Sequence, residues 1–296
     1  MVLQVLPNRR SLSILVGLTA AVVAAGCFAQ STSAAMVASD NASSYTGAVG
    51  TTGNTNGGTG FGPWQVTITN SNNPPYVDTY LDTSSKPIST NKNSWGVYAN
   101  TPQAGPPAVI PSVDLTRPFL TAGGLSGGKL DAGQTLSIAM ESDGAGGNSP
   151  ETGASIGFSL QSSAPIDQFT FEYDATAGYD NMSIIDGSNS GKEYESPVSL
   201  GFSSYIGKGM TVDFTLVTAS TYDLSVTPVG GTTVSVITNG TLPGGQLNQI
   251  ELFDQNTSGN GYFNSLSISA VPEPASLGLM AIGGLALLLV GRRKTA

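Results

Sequence analysis

The sequence predicts an all-β protein, an antiparallel β-sandwich of the jelly-roll type, flanked by an apolar helix at each end. Three observations lead to this prediction. Apolar and polar residues alternate through most of the chain, glycine accounts for 38 of the 296 residues, and only 10% of the residues are charged. Alternation with a period of two is the pattern of half-buried strands, and glycine-rich breaks favour turns over helices. The length between the two ends suits one domain stabilised by burial alone.

The N-terminus has the layout of a secretory signal peptide. Arg9-Arg10 precedes an apolar run from Leu12 to Ala25, and small residues follow. This is the order of charged region, apolar region and cleavage site in an export signal. Cleavage after Ala29 or after Ala35 would satisfy the requirement for small residues, and we assign residues 1–29 to the signal.

Two special forms of export signal are alternatives. Arg9-Arg10-Ser11-Leu12 resembles a twin-arginine signal, although paired arginines before an apolar run are common. Ala24-Ala25-Gly26-Cys27 approximates a lipobox, which would acylate Cys27, but it lacks the usual leucine or valine three residues before the cysteine. We therefore expect an ordinary cleaved signal.

Residues 30–60 are predicted to be a flexible lead-in. They consist largely of Ser, Thr, Gly, Ala and Asn, with almost nothing to bury. Such a composition is typical of linkers. The sandwich domain is predicted to cover residues 61–270.

The alternation that predicts the sandwich begins at Phe61 and runs to Ile268. Tight turns between the strands are marked by pairs such as Gly230-Gly231 and Asn239-Gly240, which tolerate the positive φ that hairpins require. The predicted strands centre on Trp64–Ile68, Trp95–Ala99, Leu136–Met140, Ile156–Leu160, Phe169–Tyr173, Met182–Ile185, Val212–Leu216, Tyr222–Val226, Val234–Val236, Ile250–Leu252 and Tyr262–Ile268.

The C-terminus contains a short membrane span. Residues 275–291 form a 17-residue segment of apolar and small residues. A helix needs about 20 residues to cross a bilayer, and about 17 is the lower limit, so this is a minimal transmembrane helix. The basic residues behind it should stay in the cytoplasm and place the body outside. These basic residues are Arg292, Arg293 and Lys294.

A proline-bracketed glutamate precedes this helix, in the order Val271, Pro272, Glu273 and Pro274. Proline disfavours helix in the residue before it, so Glu273 should be extended and accessible just outside the membrane. The whole segment 271–296 resembles the PEP-CTERM sorting signal of Gram-negative bacteria. That resemblance implies recognition by exosortase, a membrane protease, removal of the helix and release to the cell surface or exopolysaccharide matrix. An ordinary C-terminal anchor is the alternative.

The last strands carry a second resemblance. Tyr222 to Asn239 looks like a strand, a Gly-Gly hairpin and a return strand, and Tyr262-Phe263-Asn264-Ser265-Leu266-Ser267-Ile268 closes the body. Both are similar to the closing segments of concanavalin-like lectin sandwiches. This resemblance implies that the final strand returns beside the first.

Composition excludes several kinds of chemistry. The chain has no histidine, and its one cysteine lies in the signal. Histidine-dependent catalytic triads, thiol nucleophiles, disulfides and His- or Cys-ligated metals are therefore excluded from the mature protein. Between the two ends, six basic residues stand against 20 acidic ones, a net charge near −14. This charge argues against nucleic acid as a partner.

Carboxylate chemistry survives these exclusions. Glycosidases need two acids flanking the scissile bond, and the pairs Glu141/Asp143 and Glu172/Asp174 have suitable spacing. Concanavalin-like glycosidases use Glu-x-Asp-x-x-Glu, but Gly146 and Ala177 stand at the last position of this pattern. We therefore predict no catalytic residues, no enzymatic activity and a solvated face for Glu172 and Asp174.

Calcium is the metal considered next, because oxygen ligands are plentiful in the chain. The stretch Asp254–Gly259 begins like a calcium loop, but Ser265 stands where the closing glutamate should be. Asp180 and Asp186 could also contribute to a site between loops. Turn chemistry accounts for these residues without a metal, so no cofactor is predicted and calcium is the alternative.

Sugar binding would need an exposed aromatic residue with polar neighbours. Trp95 and Tyr98 lie among Asn91, Asn93 and Asn100 and are the candidates, with core packing as the alternative for Trp95. The sequence thus predicts an exported surface or matrix protein with a structural or adhesive role, inserted transiently in the membrane through both ends. The alternatives are a lectin-like module that binds exopolysaccharide and, more remotely, a glycoside-active enzyme.

Overall fold

The structure, a computed structural model, describes residues 34–69, 77–100, 110–121, 125–143, 154–174, 182–198, 200, 207–257 and 259–270. The strands in this part of the chain are β1 (Ala35–Asp40), β2 (Gln65–Thr69), β3 (Val77–Asp82), β4 (Ser94–Ala99), β5 (Ser112–Pro118), β6 (Gln134–Ser142), β7 (Ser155–Gln161), β8 (Asp167–Asp174), β9 (Ser183–Ile185), β10 (Tyr194–Glu195), β11 (Met210–Thr218), β12 (Thr221–Pro228), β13 (Val234–Thr241), β14 (Gln249–Gln255) and β15 (Asn260–Ala270).

These strands form two sheets. The eight-stranded sheet has the order β13-β12-β11-β6-β15-β4-β3, with β1 also paired to β15. The seven-stranded sheet has the order β10-β9-β8-β7-β14-β5-β2. Every pairing between these strands is antiparallel. The predicted all-β antiparallel sandwich is therefore confirmed.

The core lies between the two sheets, where the apolar members of each alternating strand meet. Phe169 of β8 contacts Phe214 of β11 and Tyr222 of β12, with ring centroids 4.8 and 5.0 Å apart. Phe158 and Phe171 continue this aromatic layer within the seven-stranded sheet. The Phe158 ring centroid lies 6.0 Å from that of Phe169 and 6.0 Å from that of Phe171. All five side chains are almost inaccessible to solvent. Because successive residues of a strand point to opposite faces, the polar residues between them face outward.

The predicted flexible lead-in is wrong for residues 34–60. Here β1 pairs with β15, a 3-10 turn follows at Ala42–Ser44, and Tyr45 and Val49 are buried. The composition of this segment is polar, but Tyr45 and Val49 enter the core, while Met36 stays exposed. Its boundary with the sandwich therefore lies at Ala35 and not at Phe61.

A buried ion pair fixes this N-terminal segment. The Arg117 guanidinium on β5 donates hydrogen bonds to the Asp40 carboxylate at the end of β1 and to the Asn56 side chain. The rings of Phe61 and Trp64 lie 4.9 and 5.0 Å from the guanidinium carbon. Burial lowers the pKa of Arg117 to about 9, and the guanidinium is paired with the Asp40 carboxylate in the core.

The two predicted terminal helices, residues 1–29 and 275–291, lie outside the described residues. Within the described part of the chain, no helix has the length and apolarity that crossing a membrane requires.

Candidate functional site

The outer face of the seven-stranded sheet carries an acidic groove of about 330 Å³. It forms because β5, β7, β8 and β14 turn most of their apolar residues inward, which leaves their acids and hydroxyls, together with Phe253, on one shared surface. Its lining consists of Asp114, Ser155, Ser159, Asp167, Thr170, Glu172, Asp174, Ile185, Glu251, Phe253 and Gln255.

A glycine opens the floor of the acidic groove. Gly157 of β7 pairs with Glu172 of β8 on one side and with Phe253 of β14 on the other. A Cβ at this position would lie 2.3 Å from the carbonyl oxygen of Phe171 and 2.6 Å from the Cβ of Glu172. Because Gly157 has no side chain, the space between Glu172 and the half-buried ring of Phe253 stays open.

Burial changes the ionisation of the carboxyls in the groove. Glu172, whose residue is only 7% exposed, has its pKa raised to about 8 by burial and by repulsion from Glu193 and Asp174. Burial and the charges of Asp114 and Asp167 raise the pKa of Glu251 to about 7. No residue that lines the described groove is basic, so protons or a bound ligand must offset the mutual repulsion of these acids.

Two carboxylates of the groove, Glu172 and Asp174, are close enough to Glu193 beside it to share a cation. Oxygens of Glu172, Asp174 and Glu193 all lie within 4.8 Å of one another. Such an all-oxygen set is of the kind that Ca²⁺ uses, although a complete calcium site takes six to eight oxygens.

The two acid pairs singled out in the sequence, Glu141/Asp143 and Glu172/Asp174, lie on different sheets. Glu172 and Asp174 enter the acidic groove, so the predicted solvated face is wrong for Glu172, which the neighbouring strands cover. Glu141 and Asp143 lie on the opposite sheet, where Glu141 is 3% exposed and Asp143 accepts a hydrogen bond of 2.6 Å from the Tyr262 hydroxyl. The two pairs are on different faces and do not form one site.

The two aromatic candidates for sugar binding are separated by the alternation of β4. Trp95 points into the core and is fully buried against Tyr45 and Trp64, with centroids 5.8 and 5.4 Å away. Its predicted role in carbohydrate binding is therefore wrong, because no sugar can reach its ring. Tyr98 points to the outer face of the eight-stranded sheet, where it is half-buried beside Tyr80.

The predicted calcium loop does not present its first ligand to solvent. Asp254 is the inward member of β14 and is fully buried, where it accepts a hydrogen bond of 2.6 Å from the Thr257 hydroxyl. Asp186 is also buried and accepts hydrogen bonds from Tyr194, Ser188 and Tyr222. Both carboxyls are thus engaged in local structure. Asp180 lies outside the described residues.

Sequence reasoning singled out Glu172 and Asp174 but missed the other lining residues of the acidic groove, among them Asp114, Asp167, Glu251 and Phe253. Glu251 and Phe253 are outward residues of a predicted strand, beside Ile250 and Leu252, whereas Asp114 lies on β5, a strand that the alternation does not predict. Alternation could have placed Glu251 and Phe253 on an outer face, but only the pairing of β5 with β14 and of β14 with β7 brings them together with Asp114.

The predicted sorting-tail residues lie outside the described residues. Residues 270–294 match the PEP-CTERM protein-sorting motif. The chain therefore carries this motif, which is the recognition signal of exosortase, a membrane protease, and which implies export and association with the cell envelope. The tail residues concerned are Val271, Pro272, Glu273, Pro274, Arg292, Arg293 and Lys294.

Among solved structures, the chain resembles other β-sandwiches. The globular domain of T. cruzi calreticulin is 9% identical with a TM-score of 0.43, over 75% of this chain and 90% of that chain. A carbohydrate esterase, vb_24B_21 of bacteriophage phi24B, is 10% identical with a TM-score of 0.38, over 70% and 89%. The receptor-binding domain of botulinum neurotoxin type G is 8% identical with a TM-score of 0.33, over 69% and 42%.

Because the identities and TM-scores are this low, these structures carry no information on the ligand or activity of this chain. The assignment of the sandwich fold rests on the two sheets described above. A comparison with curated proteins gave no match.

Proposed function

We propose that this protein is delivered to the outer surface or the exopolysaccharide matrix of a Gram-negative bacterium, where it has a structural or adhesive role and binds polysaccharide in the acidic groove. The sorting motif at residues 270–294 supports delivery. The observation that carries the binding proposal is the ring of Phe253 set among carboxylates and hydroxyls on one open sheet face.

The chemistry of the groove suits a sugar. A pyranose ring offers an apolar C–H face, which packs on an aromatic ring, and hydroxyl groups, which donate to oxygen acceptors. Phe253 supplies the ring, and Asp114, Asp167 and Glu251 supply acceptors. Because these acceptors are acidic and no lining residue is basic, uronate or phosphate groups would be repelled. The favoured ligands are neutral polysaccharides or polysaccharides that carry protonated amino groups.

Glycan-array binding and polysaccharide co-sedimentation test this proposal. Phe253→Ala should weaken binding about tenfold, which corresponds to about 1.4 kcal/mol. Tyr98→Ala is the matched control, because it removes a half-buried aromatic side chain from the outer face of the other sheet, and it should leave binding unchanged. Binding that is lost on Tyr98→Ala and kept on Phe253→Ala would contradict the groove as the site.

We also propose that the groove binds without cleaving. Neither acid pair is followed by the second glutamate of the Glu-x-Asp-x-x-Glu pattern, since Gly146 and Ala177 occupy that position. New reducing ends should not appear when the protein is incubated with the polysaccharide it binds. Hydrolysis that Glu172→Gln or Glu141→Gln abolishes would contradict this.

The groove is proposed to need no cofactor, with calcium at Glu172, Asp174 and Glu193 as the alternative. Binding to polysaccharide should then survive treatment with a chelator. If the chelator abolishes binding, and added Ca²⁺ restores it in the natural protein but not in Glu193→Gln, calcium is a ligand of the site.

A further inference from the structure

The outer face of the eight-stranded sheet holds a lysine against an aspartate. Lys86 Nζ lies 3.9 Å from Asp143 Oδ2 and 4.0 Å from the centre of the Tyr262 ring. Lys86 belongs to the loop between β3 and β4, and Asp143 directly follows β6. The two groups come together because that loop folds back over the sheet.

The loop is fastened in this position by a buried amide. Asn264 of β15 donates hydrogen bonds from Nδ2 to the carbonyl oxygens of Ile88, at 2.9 Å, and Asn93, at 3.1 Å. Its Oδ1 accepts from the backbone amide of Ala42 at 2.9 Å. Lys86 is therefore held near Asp143 by the fold and not by the attraction of the two charges alone.

The Asp143 carboxyl is immobilised by three donors. The Tyr262 hydroxyl and the Asn260 side-chain amide donate to Oδ2, at 2.6 and 2.9 Å, and the Asn260 backbone amide donates to Oδ1 at 2.8 Å. These donors stabilise the carboxylate and lower the pKa of Asp143, against the opposing effect of burial. The same donors would also stabilise negative charge on oxygen if a nucleophile added to the carboxyl carbon.

A buried carboxyl accompanies this pair. Glu141 lies two residues before Asp143, on the same face of β6, and is only 3% exposed. Its Oε2 has no hydrogen-bond partner among the described residues, and a Cβ at Gly209 would come within 3.4 Å of that oxygen. Burial raises the pKa of Glu141, and a carboxyl that is readily protonated can carry a proton between neighbouring groups.

We propose that Lys86 and Asp143 join in a spontaneous intramolecular amide bond, with Glu141 as the proton carrier. The arrangement has the three parts that this condensation needs: an amine beside a fixed carboxyl, donors on the carboxyl oxygens, and a buried acid next to both. A small rotation of the flexible lysine side chain closes the remaining distance.

The atoms balance without another reactant. Lys86 passes one ammonium proton through Glu141 to the Asp143 carboxylate, so that a neutral amine faces a neutral carboxyl. Nζ of Lys86 then attacks Cγ of Asp143 and forms the C–N bond. One Asp143 oxygen leaves as water and takes two of the three protons of the original ammonium group, delivered through Glu141. The carboxylate and the ammonium become one neutral amide, and Glu141 returns to its starting state.

Such a bond would serve an exported protein with no disulfide. The only cysteine of the chain lies in the signal segment, so the mature sandwich cannot form a disulfide cross-link. An amide between Lys86 and Asp143 would tie the β3–β4 loop to the end of β6, and a cross-link that closes a long loop restricts the unfolded chain.

Mass spectrometry of the purified full chain, as its cells process it, tests the proposal. The intact mass should be lower by one water than the sequence between its measured termini, and a protease digest should contain one branched peptide that joins Lys86 to Asp143. Glu141→Gln and Lys86→Arg should both show the full, unreduced mass while keeping the cooperative thermal unfolding of a folded sandwich.

The chain contains its own matched control. Lys129 and Asp131 have nearly the same separation, 3.8 Å, and Asp131 is about as exposed as Asp143 (31% against 34%), but Lys129 is more exposed than Lys86 (33% against 20%). The Ser126 amide donates to Asp131 at 3.2 Å, whereas three donors fix Asp143, and no branched peptide should join Lys129 to Asp131. Lys129→Arg should keep the loss of one water. A folded natural protein at its full mass would overturn the proposal, as would a loss of water that persists in Lys86→Arg.

Discussion

At the scale of single residues, the feature of most consequence is the pair of Asp40 and Arg117. Each is almost completely inaccessible to solvent, so neither charge could be buried without the other. A buried pair adds little stability over an apolar replacement, but removal of one partner leaves an uncompensated charge in the core. The pair therefore helps to hold β1 against the sandwich, in addition to the pairing of β1 with β15.

Asp40→Asn should lower the free energy of unfolding by about 3–5 kcal/mol, because Arg117 then loses its buried counter-charge. Chemical denaturation followed by circular dichroism measures this. Lys129→Met, which breaks an exposed pair, is the control and should change the stability by less than about 1 kcal/mol. Equal effects of the two substitutions would contradict the assigned role of the buried pair.

Glu172 makes the stability of the fold depend on pH. Its pKa is raised to about 8 in the folded protein, against about 4.3 in an unfolded chain. Between these values the folded state binds more protons than the unfolded state, so stability falls as pH rises. Glu251, with a pKa raised to about 7, acts in the same direction.

The midpoint of thermal unfolding should therefore decrease from pH 5 to pH 8, and Glu172→Gln should flatten this decrease. The full cost of ionising such a group is about 1.4 kcal/mol for each unit by which its pKa is raised. Glu195→Gln, on the exposed end of β10, is the control for the loss of one carboxylate. A slope that is unchanged in Glu172→Gln would show that this carboxyl is not the one responsible.

At the scale of elements, β1 and the segment after it complete the eight-stranded sheet. β1 pairs with the last five residues of β15, from Leu266 to Ala270, whereas β4 pairs with the first four. Loss of β1 would expose the edge of β15 and leave Arg117 without Asp40. An ordered N-terminal segment is therefore part of the folding unit.

A chain that starts at Phe61 should fail to give a soluble, cooperatively unfolding protein, whereas a chain that starts at residue 34 should fold. Soluble yield and thermal unfolding followed by circular dichroism compare the two. If the shorter chain unfolds at the same temperature as the longer one, residues 34–60 contribute nothing to stability and this reading of β1 is wrong.

At the scale of the whole molecule, the two outer faces of the sandwich have different chemistry. The seven-stranded sheet presents the acidic groove, and the eight-stranded sheet presents tyrosines, Lys86 and the engaged carboxylate of Asp143. We propose that the first face binds polysaccharide and that the second is cross-linked internally. A protein that holds a matrix together would use both properties.

Processing of the tail is a prediction for the whole chain. Native protein from the extracellular fraction should lack both the signal segment and the residues that follow the Pro-Glu-Pro motif, as mass spectrometry of its termini would show. Glu273→Ala should leave the protein in the membrane fraction, because the protease no longer recognises its signal. An intact 296-residue chain dissolved in the cytoplasm would contradict export altogether.

The sequence alone determined the sandwich class, the central strands and the sorting motif, because each depends on residues that are neighbours along the chain. Alternation within β7, β8 and β14 and the order of proline, glutamate, apolar run and basic residues are local patterns. Three other features do not follow from local patterns: that residues 35–40 form the ordered strand β1, that Trp95 is buried, and that the acidic groove exists. Only the tertiary structure decided them, since strand register between segments far apart in sequence brings Arg117 to Asp40 and places Phe253 and Glu172 on either side of Gly157 in one groove.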